Sequence, residues 1–283
     1  LGWEMATRIS SDFAVRACAN MWGTPRKGAT MGTVGKFNWA DLTTSDRKAA
    51  KEFYAGLFGW TGEDQPAGDS QVYTLFSKDG KLVAGGGEAP PERPMPPTWM
   101  PYITVEDVET SASAVEGSGG STMLPPMEVM DAGKMAIFSD PTGAPIAVWQ
   151  DGNHTGAELR DAPGSITWVE LGTGDIATAT KFYKDVFGWG SETVPMGDSG
   201  EYTLFTLGED QVAGGYDKTG VLPDEVPPHW LVYFAVDDID ATVEKATALG
   251  AKAGEIIDVM AGRMSIIHDP QGAVFGAHQG SSQ

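Results

Sequence analysis

Phe53-Tyr54-Ala55-Gly56-Leu57-Phe58-Gly59-Trp60 returns later in the chain as Phe182-Tyr183-Lys184-Asp185-Val186-Phe187-Gly188-Trp189. In each stretch an aromatic pair is followed one helical turn on by an apolar pair, the spacing that lines one face of an α-helix. A glycine then stops the helix, because it takes the left-handed conformation of a helix C-terminus without a Cβ clash. Working outward, the agreement continues in order. Phe37-Asn38-Trp39-Ala40-Asp41-Leu42 pairs with Ile166-Thr167-Trp168-Val169-Glu170-Leu171, and Tyr73-Thr74-Leu75-Phe76 with Tyr202-Thr203-Leu204-Phe205. Val83-Ala84-Gly85-Gly86 answers Val212-Ala213-Gly214-Gly215, Pro96-Pro97-Thr98-Trp99 answers Pro227-Pro228-His229-Trp230, and Asp140-Pro141-Thr142-Gly143-Ala144 answers Asp269-Pro270-Gln271-Gly272-Ala273. Matched order and spacing mark a tandem duplication, with copies over residues 35–152 and 164–280. The polar, turn-rich stretch 153–163 reads as a linker. Residues 1–34 show no sustained periodicity and hold a natural start at Met31-Gly32-Thr33, so they read as an N-terminal extension or leader outside the fold.

Each copy reads as strand, helix and three strands, then the same again. Residues 37–42 alternate as a half-buried strand, and Ala49, Ala50, Phe53, Tyr54, Leu57 and Phe58 follow at helical spacing behind a Ser45/Asp46 cap. Strands are expected near 72–77 and 81–86, joined by an Asp79-Gly80 turn. A proline-rich crossover (Pro90, Pro91, Pro94, Pro96, Pro97) leads to a strand over 100–105, a helix over 108–116, and strands over 134–138 and 146–150.

The 283 residues carry a formal net charge of −20, which argues against nucleic acid or an anionic membrane as partner. The same charge also serves ordinary solubility. No stretch approaches the roughly 18–20 consecutive apolar residues of a membrane span. Arg8, Asp12 and Arg16 stand where a secretory signal needs its apolar centre, so no export signal is read. The single cysteine, Cys18, cannot form an internal disulfide, in keeping with a reducing compartment, and a cytoplasmic location is expected.

The strand, the helix with Phe-Tyr and Leu-Phe-Gly-Trp, and the late Asp-Pro-x-Gly turn, twice over, resemble the vicinal oxygen chelate superfamily of glyoxalase, bleomycin-resistance and dioxygenase proteins. The closer resemblance is to its tandem actinobacterial type, some of which accompany antibiotic pathways such as anthracycline synthesis. The resemblance implies an α+β chain of two tandem domains, each of paired βαβββ modules whose curved mixed sheets enclose a cleft. It also implies where a metal would sit in metal-dependent members: Trp39, a glycine near Gly85, Met100 and Ala147 in the first copy, and Trp168, a glycine near Gly214, Leu231 and Gly276 in the second. None of these is an oxygen, imidazole or thiolate donor, so neither metal nor other cofactor is expected.

Strand alternation places Phe37, Trp39, Asp41, Met100, Tyr102 and Trp149 toward the first cleft. It places Ile166, Trp168, Glu170, Leu231, Tyr233 and His278 toward the second, with Ala147 and Gly276 leaving space. Such a lining suits metal-free binding of a planar aromatic molecule, such as an anthracycline-like metabolite, for biosynthesis or self-resistance. In the second cleft Trp168 and Tyr233 would wall the ligand, and Glu170 and His278 would orient it. Trp99 and Trp230, of opposite parity, are expected in the core, His268 in a structural role and His154 in solvent. The alternative is an enzyme, glyoxalase-, dioxygenase- or hydroxylase-like, with Glu170 or Asp41 as base or with a shifted metal set of Glu170, His278 and His229. A pathway enzyme is a second candidate partner, and the chain is expected as a monomeric pseudo-dimer or a homodimer. The run Ala84-Gly85-Gly86-Gly87 ends a strand and opens no helix, so it is a poor phosphate cradle.

Overall fold

The computed structural model describes residues 33–66, 72–89, 95–195, 200–259 and 261–281. The readings placed on most of residues 1–34, on Cys18 and on Pro90, Pro91 and Pro94 lie outside these.

Four modules follow one another. The first is β1 (Phe37–Thr44), α1 (Arg47–Phe58), β2 (Thr61–Pro66), β3 (Val72–Lys78) and β4 (Lys81–Glu88). The second is β5 (Thr98–Thr104), α2 (Val108–Gly117), β6 (Ser121–Val129), β7 (Gly133–Ser139) and β8 (Pro145–Asp151). The third is β9 (Ile166–Thr173), α3 (Ile176–Phe187), β10 (Gly190–Pro195), β11 (Glu201–Leu207) and β12 (Asp210–Asp217). The fourth is β13 (His229–Ala235), α4 (Ile239–Ala248), the short β14 (Lys252–Ala253) and β15 (Ile257–Val259), β16 (Gly262–His268) and β17 (Val274–Gly280). Strand orders are β2-β3-β4-β1-β5-β8-β7-β6 and β10-β11-β12-β9-β13-β17-β16-β14. Both sheets are mixed, since β1 and β4 run parallel whereas β3 runs antiparallel to β2 and β4 on either side of it, and β9 to β12 repeat the pattern. Among the described residues no helix is long and apolar enough to cross a membrane.

Local chemistry sets the helix ends. Asp46, Asp107, Asp175 and Asp238 cap α1 to α4, each side chain accepting a backbone N–H three residues on at 2.7 to 3.0 Å. Gly59 and Gly188 close α1 and α3 with φ of 74° and 71°. The strands given no range in the sequence reading, β2 and β6, are edge strands without a buried residue, and β2 in particular carries little of the alternation that marks a half-buried strand.

The chain's compact units are a different partition from its copies. Of the described residues, one unit gathers 33–38, 101–156 and 168–231; the other gathers 39–100, 157–167 and 232–281. Each therefore joins the first module of one copy to the second module of the other. In the second of these units Tyr54 of α1 stacks on Trp60 at 5.3 Å between ring centroids, with Trp99 set edge-on at 5.4 Å. The Tyr54 hydroxyl donates to Asp269 Oδ2 at 3.0 Å and accepts from Trp99 Nε1 at 2.9 Å. Asp269 Oδ1 accepts the backbone N–H groups of Gln271, Gly272 and Ala273, which fixes the Asp-Pro turn. Burial first, then the Asp269 carboxylate, hold the Tyr54 phenol well above its ordinary pKa, so it stays a donor.

The other unit repeats the arrangement. Tyr183 stacks on Trp189 at 5.2 Å, donates to Asp140 Oδ2 at 3.0 Å and accepts from Trp230 Nε1 at 2.9 Å. Trp99 and Trp230 are core residues, as their strand parity predicts. Phe37 corrects the alternation argument: its ring lies 5.1 Å from Trp230 and 5.7 Å from Trp189, inside this core rather than toward a cleft. It begins β1, where the chain enters the strand and the aromatic core is nearest.

Two outcomes follow. Tyr54→Phe strands Asp269 Oδ2 and Trp99 Nε1 in the core, so urea unfolding should show a loss of about 1–3 kcal/mol, matched by Tyr183→Phe; an unchanged midpoint would remove the bond from the fold's supports. Residues 35–152 expressed alone lack Asp269, so sedimentation should find them paired through Tyr54 and Asp140 of two chains or unfolded, and a folded monomer would contradict this.

Candidate functional site

The strand face opposite the helices carries the polar chemistry. In the unit holding α1, Trp39 and Asp41 project from β1 on one side, two residues apart. Trp39 Nε1 donates to Asp41 Oδ1 at 2.8 Å and to the Tyr73 hydroxyl of β3 at 3.1 Å. Tyr73 itself donates to Asp41 Oδ1 at 2.5 Å. Asp41 sits opposite Gly85 of β4, and a Cβ on that glycine would stand 1.8 Å from the Tyr73 hydroxyl and 2.8 Å from Asp41 Oδ1.

The unit holding α3 repeats the cluster. The Tyr202 hydroxyl donates to Glu170 Oε2 at 2.8 Å, and Trp168 Nε1 donates to the Tyr202 hydroxyl at 3.2 Å. Glu170, 1 % exposed, sits opposite Gly214, where a Cβ would stand 1.6 Å from the Tyr202 hydroxyl. Trp168 is half-buried, whereas Trp39 is 4 % exposed. Tyr73 and Tyr202 are the members that sequence reasoning missed. The signal was present: tyrosine opens both matched Tyr-Thr-Leu-Phe strands, and the next strand of each copy carries glycines that only a neighbouring side chain explains.

These clusters test the metal positions that the family pattern implies, and the residues do not fit. At Gly85 and Gly214 a ligating side chain would meet the phenol that already fills the place. Gly276 does not leave the space expected of it: a Cβ there would stand 2.0 Å from the ring of Tyr233, which is fully buried across the parallel β13–β17 register. Among the described residues no group of three or more His, Cys, Asp and Glu is placed to hold a metal ion.

The remaining expected residues divide between the units. Tyr102 pairs with Ala147 in parallel register in the unit of α3, beside Trp149 on β8. Trp149 Nε1 donates to the His154 carbonyl at 2.9 Å and its ring meets the His154 imidazole edge-on at 5.6 Å. His154 is thus packed against an aromatic ring and not solvated, because the chain folds back after β8. Met100 on β5 and Leu231 on β13 are half-buried. Of the shifted metal set, Glu170 and His229 belong to one unit and His278 to the other.

His278, 4 % exposed on β17 opposite Met264, is held at a pKa of about 4 by burial, against an opposing backbone hydrogen bond with Ala261. From about pH 6.5 down to that value the unfolded chain binds a proton that the folded chain refuses. Stability should therefore fall by up to roughly 3 kcal/mol over this window on acidification. Urea titrations at several pH values should show a shallower decline in His278→Gln; an identical decline would show that His278 is not its source.

The profile of the Glyoxalase/Bleomycin resistance protein/Dioxygenase superfamily matches residues 36–148 and again 165–276. The chain is 40% identical over 246 residues to the putative glyoxylase CFP32 of Mycobacterium tuberculosis, covering 85% of this chain and 93% of that one. It is also 40% identical over 257 residues to the anthracycline biosynthesis protein DauV of Streptomyces sp. strain C5, covering 84% and 90%. Among solved structures, a Mn(II)-bound glyoxalase from Novosphingobium aromaticivorans superposes with a TM-score of 0.61 at 20% identity, covering 87% of this chain and 82% of that one. The 2,3-dioxygenase LapB from Pseudomonas sp. KL28 does so with a TM-score of 0.62 at 17% identity, covering 89% and 94%. Those likenesses carry the fold. With both copies matched and relatives aligned over most of their length, the chain belongs to the Glyoxalase/Bleomycin resistance protein/Dioxygenase superfamily as a tandem member.

Proposed function

We propose that this protein binds a planar aromatic small molecule without a metal ion, on the Trp–carboxylate–Tyr face of its second copy. The observation that carries the reading is the duplicated cluster itself. In both copies the place of a family metal ligand is a glycine filled by a tyrosine hydroxyl, which is bonded to a carboxylate and an indole N–H. Evolving a charged metal-ligand site into this arrangement leaves an indole face for stacking and a phenol–carboxylate pair for orientation. An aromatic stack adds about 0.5–1.5 kcal/mol beyond the area it buries. The second copy is favoured because Trp168 is half-buried, with Leu231 on the adjoining strand, while Trp39 is nearly enclosed. The similarity to a protein named for anthracycline biosynthesis supports a polycyclic metabolite as the ligand class, in biosynthesis or self-resistance.

Calorimetry with a panel of polycyclic quinones tests this reading. Trp168→Ala should weaken binding roughly 5- to 150-fold, the equivalent of about 1–3 kcal/mol, and Trp39→Ala should weaken it less. Affinity equal and unchanged in both variants, each folded by circular dichroism, would make the indoles core residues and not a binding face. Elemental analysis of protein purified without chelators or a nickel column should give well under one equivalent of transition metal per chain; a full equivalent would return the metal-enzyme reading.

A further inference from the structure

The two copies differ at one place beside their shared cluster. Two residues beyond the carboxylate, on the same face, the first copy has Thr43 opposite Gly87, and the second has Gly172 opposite Tyr216. The glycine has changed strands, and a tyrosine stands where the first copy has Gly87. Over Gly87 a Cβ would meet only the Val72 carbonyl oxygen at 3.5 Å, so that position is open. Over Gly172 a Cβ would stand 3.1 Å from the Tyr216 hydroxyl and 3.1 Å from Cε1 of His229. The corresponding residue of the first copy is Thr98. An imidazole and a phenol therefore converge on the glycine next to Glu170, in the same compact unit as Trp168 and Tyr202.

The imidazole is oriented. His229 Nδ1 lies 2.9 Å from the Pro227 carbonyl oxygen, and a carbonyl only accepts, so the ring proton is on Nδ1. Burial lowers the pKa of this histidine, the Pro227 bond opposes that shift and the charge of Lys218 adds to it. The ring is neutral near pH 7, and Nε2, adjacent to the Cε1 atom over Gly172, is an acceptor.

We propose that His229 Nε2, beside the Tyr216 phenol above Gly172, accepts a hydrogen bond from a free aromatic hydroxyl of the bound molecule, so that the second copy selects phenolic polycycles. The proposal rests on the aromatic-binding reading given above and adds what that ligand must carry. The Tyr216 phenol lines the same edge of the site. The first copy, with Thr98, Gly87 and Thr43, has no counterpart to either group.

The experiment compares anthraflavic acid, a dihydroxyanthraquinone, with its dimethyl ether, by calorimetry on the full chain at pH 7. The ether keeps the planar ring system and loses the donor. The unaltered chain should bind the dihydroxy compound about tenfold more tightly, the scale of one hydrogen bond. His229→Thr installs the first copy's residue, too short to reach, and should erase the preference, so that the variant binds the two compounds alike. His229→Gln restores an acceptor at similar reach and should recover part of it. Equal affinity for the two compounds in the unaltered chain, or a preference that survives His229→Thr, overturns the hydroxyl contact while the aromatic-binding reading stands. Binding of neither compound overturns both.

Discussion

In each compact unit a tyrosine hydroxyl, carried on the helix of one module, meets the carboxylate of an Asp-Pro turn from the other copy, with a tryptophan N–H donating to the same hydroxyl. All of these groups are out of water. A buried carboxylate left without donors costs far more than the bond returns, so the pair constrains the fold more than it stabilises it. Helix, turn and tryptophan strand must arrive together or polar atoms are stranded. In each unit the aromatic rings stacked on Tyr54 or on Tyr183 then pack around a fixed point of their own.

The repeat made most of this legible in advance. Helix caps at Asp46 and glycine stops at Gly59 and Gly188 are local signals, and local signals read well. Trp99 and Trp230 were assigned to the core by strand parity alone. What could not be read was which copy supplies the partner: Tyr54 and Asp269 stand 215 residues apart, and nothing in periodicity says that Tyr54 prefers Asp269 to Asp140. Edge strands such as β2 were invisible because exposure on both faces removes the alternation.

The site was half legible for the same reason. Trp39, Asp41, Trp168 and Glu170 lie two apart on single strands, where alternation applies. Tyr73 and Tyr202 reach the cluster diagonally across a neighbouring strand, and sequence spacing does not encode that reach. Gly276 shows the matching error: a missing side chain suggested a void, yet close packing lets the Tyr233 ring occupy it. In this chain a glycine opposite a carboxylate marks a neighbour's ring.

The exchange of modules also imposes an order on biosynthesis. A ribosome delivers the chain from the N-terminus, and domains generally fold as units once their parts have emerged. The unit built on Tyr183 and Asp140 has all its described residues by position 231, while the unit built on Tyr54 waits for Asp269 and β17. Through that interval α1, with its aromatic face and no carboxylate of its own, resembles the Tyr183 helix closely enough to compete for Asp140. The nascent chain therefore has a defined misfolding hazard, capture of the wrong turn by the earlier helix. A folded protein of this design depends on that capture being reversible.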